Sequence, residues 1–441
     1  MIAAIVLLAL ALRLGWIAYA SFTPTLSDDA GRYDLLGRSL ADNAGYINPN
    51  GTTTMFWPPG YPLVLASVYK LWPEGALGDH EVSAALALNA VLGAATVLLV
   101  YAIGRRAFDD RTAMLGALLT ALFPSLIFLT GVTLTETLFT FLALLAVWLI
   151  IELDDRRDGA HLDGAPRAGS AGFQPASRRP GGSLLLLAVT GVVIGFAALV
   201  RGQALLLPLV ALPFWWRATG RLRDALLRAA GTAAIAMLVV APWTVRNYDV
   251  SGSLVVISSN AGVDFYIGHS PGADGRGRIV DDLVFRYPDR PQPEAEVQIN
   301  RDGFREGIEY AAKHPLREVT LSARKLFWLY DRDDEALKWN EAHGEHRFLS
   351  AAARTTLAAV SNVYYWLVLA LAVAGIRSWL SLRDPARLLL VSLVAYWTLV
   401  HVAFFGDPRF HASIMPVVAL FAACGLNRAF GRIRPRARVP A

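Results

Sequence analysis

Among its 441 residues the chain has one cysteine, Cys424, which excludes an intrachain disulfide and a cysteine-based metal cluster. Charge is scarce as well: Asp, Glu, Lys and Arg together make up 17% of the residues. No Gly-rich phosphate loop of the Walker kind occurs, which argues against an ATP-driven pump. No soluble-type internal repeat is evident either. What the chain has in quantity is apolar surface, with 55% hydrophobic residues and a mean hydropathy of +0.41. Apolar runs of about 20 residues match the roughly 30 Å hydrocarbon core of a bilayer, so the chain reads as a polytopic membrane protein. The net charge of +5 and the pI of about 9.3 raise the question of nucleic acid, but the positions of the charges answer it otherwise.

Ten runs read as spans: Ile2–Ala20, Val82–Ile103, Ala113–Thr130, Leu134–Ile151, Leu184–Val200, Gln203–Trp216, Ala229–Val245, Leu357–Ile376, Leu388–Phe405 and Ala412–Leu426. Arginines alternate between the loops. Arg105, Arg106 and Arg111 share one loop; Arg156, Arg157, Arg167, Arg178 and Arg179 share the next of the same parity. Arg217–Arg228, Arg377–Arg387 and the tail from Arg428 to Arg438 complete the series. By the positive-inside rule these loops are cytoplasmic, and so are both termini. Gln203–Trp216 is short and holds Pro208 and Pro213, yet without it the Arg217–Arg228 loop would lie outside, against the charge rule. Ala18-Tyr19-Ala20 resembles a signal-peptidase site, whereas Arg13 interrupts the apolar run and argues against one. Either way Asp28 and Asp29 lie outside.

The expected fold class is therefore an all-α polytopic membrane protein of about ten helices with a small mixed α/β outer loop domain. Residues 1–246 form an N-terminal membrane module whose first outer loop is 21–81 and whose segment 153–182, rich in Ala, Gly, Ser, Pro and Arg, reads as a disordered cytoplasmic linker. Residues 247–356 are the outer, periplasmic loop domain. They open with a strand-like run, Ser253–Ser258, and continue to helices near Glu294–Lys313 and Pro315–Leu329. Residues 357–430 return to the membrane, and 431–441 are a basic cytoplasmic tail.

Under this topology ionisable side chains gather at one depth on the outer side. Asp28 and Asp29 follow the first span and open an amphipathic helix carrying Tyr33, Leu36 and Leu40. Glu136 sits in TLTETLF, Arg201 in a tight outer turn, Arg246 in PWTVRNY, and Arg409 with His411 in GDPRFH. Ionisable groups at the edge of a bilayer are costly and default to functional hypotheses. Each also has a plainer reading. A lone arginine at a helix end can be a snorkelling anchor. Glu136 could simply pair with Arg201, and the acidic pair could serve only the dipole of the helix that follows. WPPGYP (Trp57–Pro62) is a turn signal first. His269 reads as a loop residue, and Arg13 is expected to pair internally. The convergence outweighs any single member. A carboxylate beside guanidinium groups suits a reaction in which a base takes a proton from a hydroxyl or amine while a phosphate departs. A lipid-linked sugar phosphate fits, because its tail stays in the bilayer while its headgroup reaches the site. Trp57, Trp72, Tyr266, Trp328 and Trp339 could stack on sugar rings or belong to the interfacial belt.

At these residues the chain resembles the GT-C superfamily of polyprenyl-phosphate-sugar-dependent glycosyltransferases. It looks most like the bacterial family 39 branch, with its protein mannosyltransferases and lipid A aminoarabinose transferase, and the galacturonosyltransferase-like relatives. That family has an Asp, often in an acidic pair, four residues before a Tyr on a juxtamembrane helix. Asp29-Ala30-Gly31-Arg32-Tyr33 matches the spacing and Asp28-Asp29 the pair. The choice of base thus stays between Asp28 and Asp29, with the Tyr spacing favouring Asp29. PPGYP (Pro58–Pro62), PWTVRNY with NAGVDFYIGHSPG (Asn260–Gly272), and GDPRFH are similar to further family segments in that order. His269 replaces the family's usual Asn. The resemblance implies inversion at the anomeric carbon with Asp29, or Asp28, as base and with Arg201, Arg246 and Arg409 as partners of the donor phosphate. Glu136, Tyr33, His411 and His269 would support them. It implies no cofactor; a divalent cation is possible in related enzymes but nothing in the acidic residues demands one.

The expected function is transfer of a sugar from a polyprenyl-phosphate carrier to a lipid, glycan or protein acceptor at the outer face of a bacterial inner membrane. Two other readings stand beside it. An O-antigen-ligase-like transferase would centre on Arg and His in a large outer loop, with His269 and His411 the residues whose mutation would tell it from the expected function. A transporter or flippase would carry its charges near the midplane and show inverted repeats.

Overall fold

Residues 1–25, 28–71, 81–158, 181–278, 280–380 and 382–433 are described in a computed structural model. Most of the expected linker and the basic tail, and Trp72, lie outside the described residues. The chain opens with α1 (Ile2–Ala20), then two helices of the first loop, α2 (Asp29–Ala41) and α3 (Gly60–Leu71). The bundle continues through α4 (Glu81–Ala107), α5 (Asp110–Ala121), α6 (Pro124–Phe128), α7 (Glu136–Asp158) and α8 (Gly181–Val200). After a 3₁₀ turn at Gly202–Leu206 come the short helices α9 (Leu207–Val210) and α10 (Leu212–Thr219), then the long α11 (Leu222–Ser251). A cap follows: α12 (Ala261–Gly268), α13 (Asp281–Val284), α14 (Gln292–Lys313), α15 (Pro315–Tyr330) and α16 (Glu335–Ala342). The chain then returns through α17 (Ala351–Ala374), α18 (Ile376–Trp379), α19 (Pro385–Ala403), α20 (Pro408–His411) and α21 (Met415–Ile433).

Seven helices among the described residues are long and apolar enough to cross a membrane, and an eighth appears if a pair bent by 58° at Leu122–Phe123 is one span. Leu184–Val200 is apolar but shorter. The expected span Gln203–Trp216 is broken into three pieces. Pro208 and Pro213 each sit at the first positions of a new helix, where a missing backbone donor does no harm.

The small mixed α/β domain is not what forms. The described residues contain isolated bridges, such as Arg276 with Gly406, but no strand. Ser253–Ser258 stays irregular because side chains of α11 take its carbonyls. Asn247 donates to Val255 O at 3.0 Å and Ile257 O at 3.1 Å, Trp243 to Ile257 O at 2.8 Å and Thr244 to Val256 O at 2.8 Å. Those acceptors would otherwise serve a neighbouring strand. The cap instead buries a cluster of Val263, Tyr266, Ile267, Val280, Leu283, Ala295 and Ile299 between its helices. Truncating one of the larger aliphatics there, such as Ile299, would cost about 2–5 kcal/mol.

Three local devices build the capped end of the bundle. A Cβ on Gly60 would stand 2.6 Å from the backbone of Leu199 and Val200, so a glycine lets α3 start hard against the end of α8. The WPPGYP turn is therefore a packing joint. Tyr69 donates to Asp34 at 2.6 Å and Arg38 to Asp34 at 3.0 Å, which clamps α2 against α3. From the cap, Asn340 of α16 accepts from Trp16 at 3.1 Å and donates to Phe128 O at 3.0 Å, fastening the cap to α1 and α6.

Candidate active site

The acidic pair divides its labour at the start of α2. Asp28 has extended backbone and is the N-cap: its Oδ1 accepts from Ala30 N at 2.9 Å and Gly31 N at 3.2 Å, satisfying donors that the first turn leaves orphaned. Its Oδ2 meets His343 Nδ1 at 2.9 Å and Thr25 Oγ1 at 3.3 Å. Asp29, one residue on, is turned about 100° around the helix and points elsewhere. Its Oδ2 accepts from Arg409 Nη2 at 3.0 Å.

Arg409 joins the two ends of the chain. Asp407 caps α20 by accepting from Arg409 N at 2.8 Å, which orients the Arg409 side chain back over the bundle. Arg409 Nε lies 3.0 Å from Glu136 Oε1, and Arg201 Nη2 lies 2.5 Å from the same oxygen. Arg201 Nε donates to Thr135 Oγ1 at 2.9 Å. Glu136 is nearly without solvent contact at 1% exposure, so its charge needs both guanidinium groups. The run TLT before α7 is irregular, and Thr133 Oγ1 donates to Ala30 O at 3.1 Å, which ties it to α2. Aromatic faces support both cations: Trp339 (4.6 Å) and Phe410 (5.3 Å) under Arg409, Phe139 (5.7 Å) and Phe410 (5.6 Å) under Arg201. Arg409 Nε meets Glu136 as an ion pair without hydrogen-bond geometry. Arg409 Nη1 is buried and has no hydrogen-bond partner among the described residues.

Asp29, Glu136, Arg201 and Arg409 come together in one ionic chain. Tyr33 lies beside them, edge-on to Trp57 at 5.4 Å and Tyr61 at 5.6 Å; burial, with Asp29 and Glu136 close by, pushes its phenol above the usual range. Arg246 is not among them. It donates to Thr54 O at 2.8 Å and Tyr46 O at 3.3 Å and lies over Trp243 at 4.7 Å, so it secures the first loop. His411 turns away into the protein, with Nδ1 2.6 Å from Leu329 O and Nε2 2.8 Å from Asp333 Oδ1. His269 sits under the 403–406 turn, with Nε2 2.9 Å from Ala403 O and 3.0 Å from Lys325 Nζ, and Nδ1 2.7 Å from Glu318. Arg13, expected to pair internally, does so with backbone: Nη1 donates to Ala9 O at 3.0 Å and Ala121 O at 3.3 Å. It also lines a small cavity together with Glu136.

Three residues of this neighbourhood escaped the reading of the sequence. Asp264 on α12 is held by Asn260 at 3.0 Å. Burial, with Asp29 nearby, raises its carboxyl to about 7 against the pull of Arg409 and Arg201. An acid inside the apolar run AGVDFYIG was the available signal. Glu296 clamps the first loop by accepting from Thr54 Oγ1 at 2.6 Å, Met55 N at 2.7 Å and Ser259 Oγ at 3.2 Å, and no sequence pattern marked it. Thr135 stood in TLTETLF beside the residue that was singled out. No group of three or more His, Cys, Asp or Glu among the described residues is placed to hold a metal ion.

A model of the dolichyl-phosphate-mannose-protein mannosyltransferase family matches residues 57–162, less than half of the chain. No curated protein matches the chain by sequence. Solved structures match over nearly its whole length. The oligosaccharyltransferase of Archaeoglobus fulgidus in its apo form has a TM-score of 0.57 and 15% identity, covering 98% of this chain and 51% of the other. The oligosaccharyltransferase AglB from Archaeoglobus fulgidus, in complex with an inhibitory peptide and a dolichol-phosphate, gives 0.55 and 14%, covering 100% and 52%. ArnT from Cupriavidus metallidurans bound to undecaprenyl phosphate gives 0.42 and 16%, covering 97% and 77%. The chain spans about half the length of the archaeal enzymes it matches. The fold is that of the archaeal oligosaccharyltransferase structures, a multi-pass helical membrane architecture as expected from the sequence.

Proposed function

We propose that this multi-pass glycosyltransferase moves a sugar from a polyprenyl-phosphate carrier to an acceptor hydroxyl or amine at the outer face of the membrane, with inversion. The observation that carries the reading is the chain Asp29–Arg409–Glu136–Arg201, which joins a partly exposed carboxylate to two guanidinium groups at the capped end of the bundle. Asp29, with one oxygen bound to Arg409, accepts the acceptor's proton on the other. The acceptor's oxygen or nitrogen bonds to the anomeric carbon as the bond to the carrier phosphate breaks. The departing electron pair settles on the phosphate, whose charge Arg409 Nη1 and Arg201 stabilise in a partly dry site.

Several facts support this reading. Asp29 and Glu136 balance Arg409 and Arg201, so an incoming phosphate competes for cations that are already oriented. The matching archaeal enzyme was solved with a dolichol-phosphate. His269 and His411 are engaged by Glu318 and Asp333, which favours this reading over the ligase-like one. The positive-inside rule, applied to the Arg-rich loops, supports an outer position for the capped end. The acceptor class is to be found by mass spectrometry of envelope lipids and glycans with and without the protein. Transfer from polyprenyl-phosphate sugars in proteoliposomes is then compared for wild type, Asp29→Asn and Asp28→Asn. Loss of transfer confined to Asp29→Asn is the expected result; full turnover in Asp29→Asn overturns the assignment of the base.

A further inference from the structure

The cap contains two consecutive amphipathic helices of opposite character. Along α14 the exposed side is mostly charged, with Glu294, Arg301, Arg305 and Glu309 and a single large apolar residue, Ile308. Along α15 the order is inverted. Its inward face is Leu321, Lys325 and Leu329, all buried, and its one acid, Glu318, is turned inward onto His269. The outward face is a stripe of Leu316 (85% exposed), Val319 (70%), Ala323, Leu326 (44%) and Phe327 (59%). Those positions recur at three- and four-residue intervals and so lie on one side of the helix. The exposed charges of α15 itself are basic, Arg317 and Arg324, and Lys313 just before it pairs with Glu309 of α14 at 3.6 Å.

The lower end of α15 reaches membrane depth. Tyr330 Oη lies 2.6 Å from Thr398 Oγ1, and Thr398 is inside α19, five residues before its last residue, Ala403. At 1.5 Å per residue that is about 7 Å below the end of the span. The next residue of α19, Leu399, is 66% exposed, as a lipid-facing position of a span should be. The apolar stripe of α15 therefore leads onto the lipid-facing flank of a membrane helix. Trp328 donates to Asp274 O at 3.3 Å and carries Arg276 over its ring at 3.3 Å, an amphipathic pairing suited to the headgroup level.

We propose that α15 lies in the interface of the bilayer leaflet at the capped end and docks an anionic phospholipid surface, with Leu316, Val319, Leu326 and Phe327 among the upper acyl chains and Lys313, Arg317 and Arg324 at the phosphates. Apolar burial supplies the insertion, and the missing outward acids leave an anionic headgroup layer unopposed. The cap is thereby held down at the side where α15 meets the 403–406 turn, through Lys325, His269 and Ala403 O.

The test is site-directed spin labelling of the full chain in liposomes. Single cysteines replace Val319 and Phe327 in turn, with Glu309→Cys on α14 as control; Cys424 is buried and stays, and the parent chain is checked for background labelling. The vesicles are phosphatidylcholine alone or phosphatidylcholine with about one-third phosphatidylglycerol. The expected result is a several-fold higher ratio of oxygen to aqueous nickel-chelate accessibility at 319 and 327 than at 309. The ratio at 319 should rise further with the anionic lipid, and that rise should vanish in Arg317→Gln/Arg324→Gln. Aqueous accessibility at 319 equal to that at 309 overturns the proposal. So does spin–spin broadening between labels at 319, which would make a second copy the occupant. Depth at 319 that ignores the anionic lipid overturns the charge component.

Discussion

Two buried ionic clusters arise from residues two positions apart, Arg409 and His411 on α20, and they are built to opposite standards. His411 has no exposed surface and both its ring nitrogens are engaged; its ring stacks on Tyr365 at 4.8 Å and Tyr330 at 5.9 Å. Its partner Asp333 also accepts from Ser361 at 3.2 Å. Burial pushes that carboxyl up, and the bonds from His411 and Ser361 oppose the shift. The Arg409 cluster is left incomplete: Asp29 is 30% exposed and Arg409 Nη1 has no partner among the described residues. A complete polar cluster fixes the fold; an incomplete one at the mouth of the bundle keeps capacity for a ligand. Turnover should therefore follow the Arg409 cluster, and stability the His411 cluster.

The largest break in turnover is expected from Asp29→Asn, which preserves shape but removes the proton acceptor. A general base contributes about 10²–10⁴-fold, so transfer should fall by about 10³-fold while the melting temperature holds. Initial rates with a polyprenyl-phosphate sugar check it. Next comes Glu136→Gln. With its anion gone, Arg201 and Arg409 repel one another and Arg409 loses its orientation, at an expected loss of about 10²-fold. His411→Phe inverts the pattern. It strands Asp333 in a dry pocket and should cost about 3–5 kcal/mol of stability, read by thermal denaturation in detergent. The folded fraction should keep turnover within a few-fold of wild type. A turnover loss as deep as that of Asp29→Asn, without loss of stability, would collapse the distinction between the clusters.

How much of this was legible in the sequence depends on which coordinate is asked for. Depth is written in hydropathy, since the end of each apolar run fixes the level of its flanking charges. Asp29, Glu136, Arg201 and Arg409 were therefore placed at one level from the chain alone. Azimuth is written in packing. Arg246 stands at the same kind of helix end, but α11 lies against α8 and turns Arg246 toward Thr54 and Tyr46. The strand expected at Ser253–Ser258 failed for a related reason, because its carbonyls are met by side chains of a helix that hydropathy places in the membrane. The choice within the acidic pair needed the helix start: the residue that caps cannot also project from the first turn.

A smaller effect should come from Asp264→Asn, and it is one of pH. The carboxyl of Asp264 titrates near 7, so the wild type carries a neutral acid below that value and an anion above it. The anion draws on the same Arg409 and Arg201 that would meet the donor phosphate. The donor KM should thus rise a few-fold as pH climbs through 7 in the wild type and stay level in Asp264→Asn, whose amide is always neutral. A KM profile shared by both proteins would place Asp264 outside the site.

The smallest expected effect separates the two neighbours of the acidic pair. Asp28 accepts from Ala30 N and Gly31 N, a task that a serine hydroxyl can also perform. Asp28→Ala should cost about 1 kcal/mol and lower turnover a few-fold, because the first turn of α2 frays and Asp29 loses its aim. Asp28→Ser should restore most of both losses although it carries no carboxylate. A base cannot be rescued by a hydroxyl, whereas a cap can. If Asp28→Ser is as inactive as Asp29→Asn while remaining folded, Asp28 does chemistry as well, and the division of labour across that one peptide bond fails.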